Sequence, residues 1–267
     1  MLTLVRRSFS RVVWPCAALG TILIALQVVI VAVAASFESS RSFERLAALV
    51  PGFVTRSFAS SLLTLASFRA MAVAGYFHPV VVLIVTQFAI FLASEPAGEI
   101  ESGLVDLVLA RPIPRRRLVT RSVLVVAMAT IALAGAMAAA TSVGLILLAP
   151  PGASWPSAWT VLVLSAGLLM VAWCFGAAAL AAAAFARRRA TAITLVGLVA
   201  VGLYLLEFIG ASWEPAAPFA RISPFHYYAG TSILVGRADV SRDLTVLGSL
   251  VAAGVAIAYW QFARRDL

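Results

Sequence analysis

The side chains best suited to chemistry in this sequence are three carboxylates, Glu99, Glu101 and Asp106, which form its densest acidic group. Acid–base or metal-assisted chemistry at a bilayer edge needs paired carboxylates with histidines or repeated aspartates beside them. No such companions stand near these three. His226, in Ser223-Pro224-Phe225-His226-Tyr227-Tyr228, has no second His, Cys or carboxylate at ligand spacing and reads as an interfacial residue. No nucleophile elbow or zinc motif occurs. The chain contains no lysine, so it cannot build the Gly-x-x-x-x-Gly-Lys-Ser/Thr cradle that holds ATP phosphates. Cys16 and Cys174 both fall in apolar runs and read as small core residues, not as a disulfide. What remains is charge placed for recognition. Read as a helix over 99–111, the segment sets Glu99, Ser102 and Asp106 on one side and Ile100, Leu104, Leu107 and Val108 on another. Pro112 and Pro114 cannot continue that helix, and Arg115, Arg116 and Arg117 follow. The spacing predicts a short amphipathic helix that presents carboxylates to a partner in water. A solvated linker is the competing reading.

The elements that position this segment are apolar. Of 267 residues, 63% are hydrophobic and only 12% charged, against about a quarter charged in soluble domains. The mean hydropathy is +1.03. The fold class is therefore all-α integral membrane, a single transmembrane domain of six helices at 12–35, 79–93, 118–149, 158–186, 191–209 and 244–262. The helix at 99–111 lies between the second and third spans. The first run has a cleavage-like Ala32-Val33-Ala34, but its apolar core is too long for a signal peptide and further spans follow, so it reads as a retained span. Two more polar stretches, 36–77 and 210–243, become outer segments. The first reads as two short helices lying on the outer surface over the bundle, as a gate or as a cap.

Six spans place both termini on one side. Of the 20 basic residues, all arginine, 13 then share the face of the termini and the 99–111 segment, against 7 on the other. The positive-inside bias makes that face cytoplasmic. The net charge of +9 accordingly reads as a topology signal and a contact with anionic lipid, not as a nucleic-acid surface. Arginine to the exclusion of lysine, with abundant alanine, suggests a GC-rich bacterial genome and hence a bacterial inner membrane. Within the spans, Gln27 and Gln87 are interhelical hydrogen-bonding groups or substrate contacts. Met170 and Trp173 are core packing or the wall of a cavity. Glu207, near the outer end of the fifth span, is a site candidate or a solvated edge residue.

Glu101-Ser102-Gly103, followed by Leu107, Pro112, Arg115 and a basic residue at Arg121, resembles the cytoplasmic segment of ATP-binding-cassette type-2 permeases. That family typically carries Glu-x-Gly-Thr, a leucine-rich turn or two, Pro-x-x-Arg and a later Lys. Leu104 stands here where Thr is usual, and Arg121 where Lys is usual. The Ser-Pro-Phe-aromatic patch at 223–228 is also similar to the family. The resemblance implies that 99–111 is a coupling helix, with Glu99, Glu101, Ser102, Gly103, Asp106, Leu107, Arg111, Pro112 and Arg115 meeting a separate ABC ATPase. That partner would bind ATP and Mg, leaving this chain with no cofactor, no metal and no catalytic residue of its own. Two copies of the permease, a homodimer, would form the pathway and export a hydrophobic or amphipathic substrate such as a drug-like molecule, a lipid or a peptide. The competing classes are an integral membrane enzyme acting on lipid and a non-transporting sensor or assembly subunit.

Overall fold

Six helices are long and apolar enough to cross a bilayer, and among the described residues there is no strand. The protein is an all-α, multi-pass membrane protein. The computed structural model describes residues 2–40, 67–102, 116–186 and 188–264. The first span belongs to helix Leu2–Ser39, the third is Arg116–Leu148, the fourth Ala158–Phe185, the fifth Arg189–Ser212 and the sixth Val240–Arg264. The second is built in two pieces, Pro79–Ala93 and Glu95–Glu101, joined at Ser94. The boundaries expected at 12–35 and 244–262 fall short of the helices, because arginines at a membrane edge end the apolar run without ending the helix. At ~1.5 Å per residue, helices of this length exceed the ~30 Å hydrocarbon core, so their polar ends stand outside it.

The fourth span is the hub. It packs along the second, third and sixth spans and touches the fifth, while the first span lies chiefly along the third. Small residues allow this close packing, as where Gly254 meets Ala177. The fifth and sixth spans bury the least of themselves, at 22% and 17% of their apolar windows. Leu195, Leu198, Leu205 and Phe208 on the fifth are exposed, as lipid-facing side chains should be.

Residues 41–66 of the expected outer segment, and with them most of the two surface helices, lie outside the described residues. Of 36–77, residues 36–39 end the first helix, and the described remainder forms two short helices, Phe68–Ala72 and Ala74–Phe77. These two pack into the bundle. Phe68, Ala72 and Tyr76 are fully buried, and the Gln27 side-chain amide, well inside the first span, donates to Ala72 O at 2.8 Å. The Tyr76 hydroxyl meets Thr141 of the third span at 3.0 Å. The segment dips into the bundle because its free backbone carbonyls find donors there. His78 then caps the second span, its Nδ1 accepting from Val80 N at 3.3 Å, with Pro79 at the first helical position where no donor is needed.

The stretch after the fifth span dips in likewise. Ser223 is fully buried and donates to Leu203 O, Phe225 stacks on Phe175, and the Tyr228 hydroxyl donates to Tyr76 O at 2.9 Å. The ring of Tyr228 lies on Gly167, where a Cβ would come within 2.5 Å of it. Only glycine admits that approach. The two outer segments thus hold each other inside the bundle.

Candidate functional site

The second span breaks its helix at Ser94, whose hydroxyl donates to Phe91 O, and Pro96 opens the following turns of Glu95–Glu101. Glu95, Glu99 and Glu101 all lie on this piece, at the arginine-rich face. Each meets an arginine from a different span. Glu99 is gripped in two parallel hydrogen bonds by Arg121 of the third span, at 2.9 and 2.8 Å. Arg121 is 4% exposed and the Glu99 side chain 12%, so this is a largely buried, bidentate pair of the kind for which arginine is suited and lysine is not. Glu101 accepts from the backbone N–H of Arg189 at 2.9 Å, at the first residue of the fifth span. There it occupies a helix N-terminus, where a carboxylate is favoured. Glu95 stands 3.9 Å from Arg11 of the first span.

Arg189 completes the cluster. Its side chain donates to Phe91 O at 2.9 Å and to Ser94 Oγ at 3.4 Å, and its guanidinium lies 4.3 Å over the Phe91 ring. The broken joint of the second span is therefore braced by the fifth. Through this one piece of helix, the first, third and fifth spans are tied by charge to the end of the second.

This arrangement alters the expected helix over 99–111. The described helix begins at Glu95, so Glu99 sits in its last turns, not its first, because Pro96 suits a helix start and Ser94 leaves the preceding helix. Ser102 is the last described residue of the segment and closes the helix by donating to Gly98 O at 2.9 Å. Glu99, expected to face water, is turned onto Arg121, whereas Glu101 and Ser102 are exposed. Gly103, Asp106, Leu107, Arg111, Pro112 and Arg115 lie outside the described residues. Arg189 was legible only as a topology charge, and Arg121 as that and as the basic residue that closes the family-like segment. A signal was available for Arg121, which stands within a span, where an ionisable residue implies a partner.

The five residues considered for a pathway do not converge. Gln27 is buried against Ala72, as above. Gln87 donates to Gly197 O at 3.2 Å between the second and fifth spans. Met170 packs against the core. Trp173 donates to Thr130 Oγ1 at 2.8 Å and borders a closely apolar cavity of about 220 Å³ between the second, third, fourth and sixth spans. Glu207 meets His226 Nδ1 at 3.1 Å on the opposite face of the membrane. The carboxylate partner of His226 was hidden by sequence distance, and no third ligand joins the two: among the described residues no group of His, Cys, Asp and Glu is set to hold a metal. Comparison of the chain with protein-family models and with curated proteins finds no match.

Proposed function

We propose that this chain is the membrane-spanning permease subunit of an ABC exporter, driven by ATP that a separate ATPase subunit hydrolyses. The observation that carries the reading is the ionic clasp at the end of the second span. The helix Glu95–Glu101 carries the first residues of the segment that resembles a coupling helix, 99–111, and is fastened to the third span by Glu99–Arg121 and to the fifth by Glu101–Arg189. An ATPase that moves the segment thereby moves three spans together. For that movement to be driven, its contacts with the segment must differ between nucleotide states, since equal binding in both shifts nothing. The arginine-rich face is cytoplasmic in this reading, with both termini and the ATPase there.

The weakly buried fifth and sixth spans leave apolar faces that a second copy or lipid can cover, and two copies supply the usual twelve-span unit as a homodimer. Few charges lie in the spans away from the clasp, which favours a hydrophobic or amphipathic cargo over an ion. The test is capture of the ATPase. The tagged chain, expressed with candidate ABC ATPase subunits of the same genome, should retain one of them through purification. Glu101→Arg and Gly103→Trp should lose it while expressing normally. Undiminished capture by both variants contradicts the docking assignment.

A further inference from the structure

Two cavities meet between the first and second spans at the arginine-rich face. One, of about 270 Å³, sets the charged side chains Arg11, Glu95, Glu99 and Arg189 in a partly apolar wall. The other, of about 470 Å³, is an open apolar groove lined by Leu19, Leu83, Ile84 and Phe88. Pro15 and Phe91 line both, so the two form one cleft. The cleft stays open because the first span lies along the third and leaves the flank of the second uncovered. From Leu83 to Phe91 the groove climbs ~12 Å at ~1.5 Å per residue, close to half the ~30 Å hydrocarbon core.

The charges in the polar part are not all spent. Glu99 is satisfied by Arg121, but the Glu95 side chain is only 12% exposed and, among the described residues, receives no hydrogen bond, its one ion-pair contact being Arg11 at 3.9 Å. Arg11, at the long end of its ion pair with Glu95, is 49% exposed. Arg189, held on Phe91 O and Ser94 Oγ, lines the same space. A ligand that suits this wall brings an anion for the two arginines, a donor for Glu95 and an apolar tail for the groove. We infer that the cleft binds one phospholipid with a primary ammonium headgroup, phosphatidylethanolamine in kind, from the leaflet on the arginine-rich side. Its phosphodiester lies between Arg11 and Arg189, its ammonium donates to Glu95, and one acyl chain fills the groove. A choline headgroup has no N–H to give Glu95, and a glycerol headgroup has no cation. The inference stands whether or not the chain partners an ATPase.

The test reconstitutes the chain in bilayers of equal phosphatidylethanolamine and phosphatidylglycerol and weighs the lipid that stays bound, by native mass spectrometry. The ethanolamine lipid should be retained over the glycerol lipid by about threefold to fivefold, the size of a half-exposed ion pair. Arg11→Gln should lower retention of both lipids by a similar factor, and Glu95→Gln should abolish the preference between them. Ile84→Trp, a lipid-facing change that fills the groove, should lower retention without touching the headgroup wall. Equal retention of the two lipids by the unaltered chain overturns the inference. So does retention that neither Arg11→Gln nor Ile84→Trp reduces.

Discussion

The Glu99–Arg121 pair decides most at the scale of single residues. Two charges placed at a membrane edge and largely withdrawn from water are costly alone and tolerable together. Removing one partner strands the other, at a cost of ~3–5 kcal/mol. Glu99→Ala should therefore destabilise the folded protein by about that much in a thermal unfolding series in detergent. Glu99→Leu with Arg121→Met together should be milder than either change alone, which a double-mutant cycle reads directly. Lysine at position 121 keeps the charge but loses the two-pronged grip, so Arg121→Lys should fall between the native chain and Glu99→Ala. In the sequence Glu99 reads as a carboxylate for a partner in water. The spacing of Glu99, Ser102 and Asp106 on one helical side was legible, but the pairing of Glu99 with an arginine 22 residues further on was not.

At the scale of elements, the outer segments and the sixth span each rest on a local device. Tyr228 ties the second outer segment to the first through Tyr76 O and lies on Gly167. Tyr228→Phe forfeits one hydrogen bond and should cost about 1 kcal/mol. Gly167→Val forces the ring away and should cost ~1–3 kcal/mol by overpacking, with both segments becoming more open to protease from the outer side. The sixth span starts on Asp239, whose carboxylate accepts from Arg242 N at 3.1 Å and from the Ser241 hydroxyl at 2.9 Å. The Arg242 amide, and after it the Ser241 hydroxyl, hold this carboxyl below its ordinary value. A lowered value means that the capping contribution is complete above the ordinary carboxylate range and is lost as pH falls through the lowered one. Amide protection at Arg242, corrected for intrinsic exchange, should fall over that acidic window, and Asp239→Ala should show the same loss at neutral pH.

The six spans were legible because a run of about 20 apolar residues has few fates other than crossing a bilayer. Whether a short mixed helix lies on the bundle or dips into it was not, since the composition is the same. The dip is decided by partners as far off as Gln27 to Ala72 and Tyr76 to Tyr228, 45 and 152 residues apart.

At the scale of the whole molecule, the bundle is asymmetric. Its fourth span is enclosed by four neighbours, its fifth and sixth are open on one side, and its charged ties gather at the arginine-rich face. That layout suits a half-transporter pushed from one side: the ties make a mechanical end, the open spans a face for a second copy. The most direct measurement is ATP hydrolysis by the purified complex of this chain with the ATPase proposed for it, reconstituted in lipid, with the native chain and with Glu101→Arg. If the clasped helix couples the two proteins, the native chain changes the hydrolysis rate of the ATPase by several-fold and Glu101→Arg returns it towards that of the ATPase alone. A rate indifferent to the presence of the chain, or to the charge reversal in a complex that still forms, would contradict the account.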